Sequence, residues 1–182
     1  MIIVLGVAGS GKSTQSKLLA TRDGLEWLSM GELLRNVITD ERKEAMLAGK
    51  ILDEQEVIEI LDTELRRSGD SPELILDGFP RGLMQAQWLL AEQTTDRFTI
   101  RAVIHLHAKK DAVKERLLAR GRQDDTEDAI KERFYEYEHT IMPIIQTMSE
   151  SGIPIVEVNA EQTPEAVSQE IIAGMAQIGI AV

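Results

Sequence analysis

A chain of 182 residues with no cysteine, 31 acidic and 20 basic side chains and a formal charge of −11 is of single-domain size. The missing thiols exclude disulfides, thiolate zinc sites and cysteine nucleophiles, and an acidic balance without a Lys/Arg-rich block gives a nucleic acid no electrostatic footprint. No apolar stretch reaches the roughly 20 residues that a membrane span needs, so a cytoplasmic monomer with no membrane or nucleic-acid partner is expected.

The first apolar run, Ile2 to Leu5, lacks the charged flank of a signal peptide and leads straight into glycines, so it reads as a buried strand. Gly6-Val7-Ala8-Gly9-Ser10-Gly11-Lys12-Ser13 follows it, fits G-x-x-x-x-G-K-[ST] and opens a helix, which is the context a phosphate loop requires. Its glycines let successive backbone N–H groups turn toward phosphate oxygens at a helix N-terminus, and Lys12 adds a full positive charge. Ser13 is placed to offer its hydroxyl to a magnesium ion bridging the β- and γ-phosphates of a nucleoside triphosphate, and Thr14 to add a phosphate contact. A dinucleotide fingerprint fits worse, because it needs glycine where Ala8 stands.

Further along, Glu26 to Leu28 reads as a weak strand, and Val57, Leu61 and Leu65 recur at helical spacing as a core stripe. A strand at Leu74 to Leu76 runs into Asp77-Gly78-Phe79-Pro80-Arg81, on the carboxyl edge where open parallel sheets bind ligands. An aspartate there can hold magnesium waters, and Arg81 can reach a second phosphate group facing the first nucleotide. After the strand Ala102 to Leu106 come Arg116, Arg120 and Arg122 at the end of one predicted helix and Arg133 on the next, with Arg122 and Arg133 placed to converge on an anion. The helix carrying Ile130, Phe134, Tyr137, Ile141 and Ile144 is expected to bend or end at Pro143, which lacks a backbone donor. A last strand, Ile153 to Val158, precedes a helix striped with Val167, Ile171 and Met175. His105, His107 and His139 have no ligand-like companions in the sequence and are given no role.

Strands alternating with helices predict an α/β fold: a three-layer P-loop sandwich with about five parallel strands and the site at their carboxyl edge. The phosphate loop, Ser29-Met30-Gly31-Glu32-Leu33-Leu34-Arg35, Asp77 to Arg81 and the arginine series together resemble the adenylate kinase family, from the first strand to Asn159-Ala160. The resemblance implies one domain over 1–182 with two small mobile insertions, a monophosphate-binding flap at about 29–53 and a short lid at about 119–126. It implies ATP and Mg2+ as cofactors, AMP and ADP as the other small-molecule substrates, and reversible transfer of the γ-phosphoryl group from ATP to AMP.

By the same resemblance Gly9 to Thr14, Arg116, Arg120 and Gln162 hold ATP, with Arg116 near its base and Arg120 on its phosphates. Met30, Arg35, Lys50, Ile51, Leu52 and Gly78 to Arg81 hold AMP, and Gln85 matches the glutamine that reads adenine. Arg122 and Arg133 span the transferring group, and Lys12, Arg81 and Arg120 complete the catalytic cations. Ser13 and Asp77 are the expected magnesium residues, acting largely through water. The chain departs from the family where only Gly121 separates Arg120 from Arg122, where the stretch from Arg35 to Gly49 is short, and where Met30 replaces a common threonine. Ala8 and Ser13 also replace the family's usual proline and glycine. CMP, UMP, dAMP or another small acceptor therefore remain alternatives to AMP, as does nucleotide binding without turnover.

Overall fold

The computed structural model describes residues 1–37, 53–69, 73–120 and 126–180. Five strands, β1 (Ile2–Gly6), β2 (Glu26–Ser29), β3 (Leu74–Asp77), β4 (Ala102–His107) and β5 (Ile155–Asn159), form one parallel sheet in the order β2-β3-β1-β4-β5. Each expected strand is present, with ends displaced by a residue or two. β1 lies at the centre, and the crossover after β3 passes it to reach β4, which makes the carboxyl end of β1 the switch point where such sheets open a crevice.

Parallel neighbours need crossover connections, and the helices that supply them cover both faces of the sheet. They are α1 (Lys12–Asp23), α2 (Met30–Val37), α3 (Glu54–Arg67), α4 (Leu83–Thr94), α5 (Lys110–Arg120), α6 (Glu127–Glu136), α7 (Met142–Glu150) and α8 (Pro164–Gln177). Alternation along the strands divides the core. Ile2, Val4, Ile75, Ile104 and Val156 point to one side, against Leu19 of α1 and the Val167, Ile171 and Met175 stripe of α8. Ile3, Leu5, Leu76 and Val103 point to the other, against Val57, Leu61 and Leu65 of α3, Leu89 of α4 and Ile144 and Met148 of α7. A small third cluster joins Val7 of the phosphate loop to Val113 and Leu117 of α5 and to Ile130 and Phe134 of α6. The loop is thus seated on the two arginine-bearing helices through apolar contact.

Of the two outcomes expected at Pro143, a bend or an end to the helix, the second is corrected. Helical backbone does not end at Pro143 but runs from Glu127 to Glu150, with a π-helical segment at Tyr137–Ile141 joining α6 to α7. Proline lacks an N–H, and its ring crowds the carbonyl four residues back. The wider π turn immediately before it relieves that crowding, and the proline occupies the first turn of α7, where no donor is needed. Thr126 caps α6, its hydroxyl accepting from the Ala129 N–H at 3.2 Å. No helix among the described residues is long and apolar enough to cross a membrane.

Candidate active site

β1 ends in the glycine loop. Gly9 has φ +87°, and a Cβ there would stand 2.8 Å from Leu117 Cγ, so both its backbone conformation and its approach to α5 require glycine. Lys12, at the start of α1, donates to the carbonyls of Gly6 at 2.8 Å and Val7 at 2.9 Å, which holds its ammonium group over the loop. Next to it the Ser13 hydroxyl donates to Asp77 Oδ2 at 2.6 Å, tying the loop to the end of β3.

Asp77 itself is buried, and the chain leaves it through Gly78 and a cis Phe79–Pro80 bond. The turn presents Arg81 outward while its Nε–H donates to Gly78 O at 2.9 Å. Phe79 is fully buried, packed edge-on against Trp88 of α4 at 6.2 Å between ring centroids. Gln85 is also buried, and its side-chain oxygen accepts from the Arg81 backbone N–H at 2.8 Å. That bond assigns the amide: the oxygen faces the turn, and the NH2 group is left as the donor presented elsewhere. Glu54, opening α3, sets its carboxylate at the N-terminus of α4 and accepts from the Gln85 N–H at 3.3 Å, where the helix dipole favours a negative charge.

These elements enclose a cleft of about 690 Å³. Gly9 to Thr14, Asp77 and Gly78 line one wall, and Arg35 of α2, Arg81, Arg116 of α5 and Arg133 of α6 project from the others. Arg116 is fastened to the loop after β5, donating to Ala160 O at 2.6 Å and Gln162 O at 3.5 Å. Gln162 also lines the cleft, but its side-chain nitrogen donates to Asn159 O at 3.1 Å. Pro80 belongs to a smaller recess of about 100 Å³ behind the cleft, shared with Lys12, Arg81, Arg133, Glu136 and Tyr137. Met30 and Phe79 are buried in the core beneath, away from the cleft surface. Arg120 ends α5, whereas Lys50, Ile51, Leu52 and Arg122 lie outside the described residues.

The donors at the loop fit a magnesium ion. Ser13 Oγ and Asp77 Oδ2 are adjacent hard oxygens at the carboxyl edge of the sheet. That suits Mg2+, which keeps several waters and takes one or two protein oxygens together with phosphate oxygens.

Three residues given no role by sequence reasoning meet beside the recess. His105 of β4 is buried; its Nδ1 lies 2.7 Å from Glu157 Oε2 on β5, and its Nε2 lies 2.6 Å from the Tyr137 hydroxyl. With a carboxylate on Nδ1, the proton sits there, leaving Nε2 to accept from tyrosine. Burial pushes the imidazole below its ordinary pKa, against the upward pull of Glu157 and with a further downward push from His107. Burial, with Glu157 and Glu138, pushes the Tyr137 phenol up to about 12. The only sequence signal was that both strands turn polar on alternate residues toward their carboxyl ends, at His105 and His107 and at Glu157 and Asn159.

A glycine-cradled anion site at the switch point of a parallel sheet, faced by four arginines from four segments, defines a P-loop phosphotransferase that handles two phosphate-bearing ligands. Comparison with known proteins agrees: the family model described as adenylate kinase matches residues 4–153. Adenylate kinase of Corynebacterium aurimucosum is 31% identical over 179 residues, covering 95% of this chain and 97% of that protein. Adenylate kinase 1 of a Nostoc species is 32% identical over 180 residues, covering 94% and 96%. Adenylate kinase of Prochlorococcus marinus strain MIT 9211 is 36% identical over 166 residues, covering 88% of each chain. The chain belongs to the adenylate kinase family.

Proposed function

We propose that this enzyme transfers the γ-phosphoryl group of ATP reversibly to AMP, giving two ADP, and that the cleft between the glycine loop and the arginines is where it does so. The observation that carries the reading is the convergence of Lys12, Ser13 and Asp77 with Arg35, Arg81, Arg116 and Arg133 on one cleft. Two polyanions need such a site, because phosphoryl transfer spreads negative charge over oxygens and needs no side-chain nucleophile.

The loop N–H groups and Lys12 bind the β- and γ-phosphates, and Arg116 and Arg120 lie on the ATP side. Arg35 and Arg81 hold the monophosphate, and Arg133 serves the transferring group, a role that the family resemblance also gives Arg122. Bound between Ser13, Asp77 and the nucleotide, Mg2+ would neutralise phosphate oxygens and help fix their geometry. Each arginine supplies a planar fork matched to a phosphate edge. Together the cations hold the acceptor oxygen in line with the γ-phosphorus and lower the repulsion between the anions.

The Gln85 hydrogen bond sharpens the base assignment. Its carbonyl oxygen accepts from the Arg81 N–H, which turns the NH2 group away from that turn, and in this reading the NH2 group is what the amide offers to a base. Adenine offers its N1 ring nitrogen as an acceptor at the centre of its pairing edge, where uracil and guanine carry an N–H, so a donor aimed at that position finds an acceptor in adenine and not in those two bases. The arrangement therefore favours AMP over UMP and GMP. Purified protein given Mg-ATP and each monophosphate in turn, with diphosphate followed by phosphorus NMR, is expected to use AMP at least about tenfold faster than UMP or GMP. Faster turnover of UMP, CMP or GMP than of AMP overturns the acceptor assignment, and ATP binding with no diphosphate formed overturns the enzyme.

A further inference from the structure

Tyr137 is the first residue of the π-helical segment and closes α6, its backbone N–H bonding to the carbonyls of Arg133 and Phe134. Arg133 and Tyr137 stand four residues apart, one turn along the same face, and both line the small recess with Lys12 and Arg81. A π turn is poorly packed and seldom forms without a local reason. Here the reason is visible on both sides: Pro143 follows it, and at its first residue the tyrosine hydroxyl is tied to the sheet.

The tie is rigid. His105 sits on β4 in register with Leu5 of the central strand and Glu157 of β5, and its ring is held between the Glu157 carboxylate and the Tyr137 hydroxyl. Every other inward position of β4 on this face up to that level is apolar, as Val103 is. Placing an imidazole and a phenol there carries a desolvation cost that two leucines would avoid. A leucine pair would fill the space, but it would set neither the direction nor the register of the helix as a 2.6 Å hydrogen bond does.

We propose that Tyr137, anchored by His105 and Glu157, is a positioning residue: it fixes the turn that follows Arg133 and so sets the angle at which that guanidinium enters the cleft. The inference rests on the reading of Arg133 as a cation of the transfer step. An arginine acting on a charge-spread transition state works only when correctly placed, and a displacement of about 1 Å can cost on the order of a hundredfold in rate.

The test is a cycle of Tyr137→Phe, Arg133→Ala and the double variant, with kcat and KM for ATP and AMP measured and folding followed by circular dichroism. Tyr137→Phe is expected to lower kcat about tenfold with both KM values held within about twofold. In the Arg133→Ala background the same change is expected to have less than about a twofold effect, because the group through which it acts is gone. His105→Gln provides a second route to the same bond and the same expected split. A Tyr137→Phe enzyme with wild-type kcat, or one that loses the same factor with and without Arg133, overturns the proposal. So does loss of folded protein in both Tyr137→Phe and His105→Gln, which would make the trio a core element only. If Arg133→Ala itself matches wild type, the reading of Arg133 falls and takes this inference with it; if Arg133→Ala is impaired and Tyr137→Phe is not, only the positioning role falls.

Discussion

The two walls of the cleft are built by different means. The loop wall is backbone: a run of consecutive residues whose shape comes from glycine dihedrals and whose underside packs on Val113 and Leu117 of α5. The arginine wall is side chain: Arg35, Arg81, Arg116 and Arg133 come from four segments, Arg81 steered by Gly78 O at 2.9 Å and Arg116 by Ala160 O at 2.6 Å and Gln162 O at 3.5 Å. A backbone cradle is set once the chain folds, so its geometry and the stability of the fold are one property. Guanidinium groups on flexible stems can be lost without unfolding anything, so there binding and stability separate.

The largest expected effects test that separation. Lys12→Ala removes the charge over the loop and is expected to lower kcat by about 10²–10³-fold, the range for losing one preorganised electrostatic group. Arg81→Ala is expected to raise KM for AMP by at least about tenfold while leaving KM for ATP nearly unchanged, the signature of a contact made to one substrate only. Arg81 is exposed, so its melting temperature should match wild type. Steady-state kinetics with each nucleotide varied in turn check both; an Arg81→Ala enzyme that loses ATP affinity instead would mean that the two walls are not divided between the two nucleotides.

The same contrast explains which parts were legible beforehand. The loop is contiguous, so eight residues between a strand and a helix carried its whole geometry. The strands and the stripes of α3 and α8 were equally readable, because apolar periodicity directly reflects which side of an element is buried. Arg116 was picked out, but its partners Ala160 and Gln162 lie more than forty residues away, across a loop whose path depends on the sheet order. Gln85 was picked out as a base reader, whereas the direction of its amide depends on a turn at Arg81 that residue types alone do not specify. His105, Tyr137 and Glu157 were missed because the first and last meet through the register of β4 with β5 and Tyr137 reaches them only through the packing of its helix on the sheet. Pro143 was read by the local rule that it bends or ends helices, and the π turn that lets helical backbone continue past it is a tertiary solution.

Gly9→Ala should break the loop wall from within. The new methyl would stand 2.8 Å and 2.9 Å from Leu117 carbon atoms and 3.0 Å from Val113 Cγ1, all on side chains too buried to swing aside, and at a positive φ that alanine resists. Overpacking of this kind costs about 1–3 kcal/mol. Because the same backbone aims N–H groups at the phosphates, KM for ATP is expected to rise alongside the drop in denaturation midpoint. No single change on the arginine wall should couple the two readouts, and a Gly9→Ala protein of full stability with weakened ATP binding would show that the loop is not braced by α5.

The smallest effect expected concerns the residue behind the arginine wall. Burial holds His105 below its ordinary pKa in the folded protein, so between its unfolded value of about 6.5 and its lowered folded value the unfolded chain binds the proton and the native chain does not. Stability therefore rises with pH across that window, and it declines as pH falls through it, because protonation stabilises the unfolded state first. Once the ring is protonated, Nε2 becomes a donor and Tyr137 loses its acceptor, so the cost falls on the helix that carries Arg133. Urea midpoints of wild type and His105→Gln at pH 7.5 and pH 5.5 are expected to differ in slope, wild type losing more between the two. Most carboxylates titrate below that interval, so the difference between the two proteins isolates the imidazole. Equal slopes would mean that His105 is as free to protonate in the folded state as in the unfolded one, and that the arginine wall has no titratable brace.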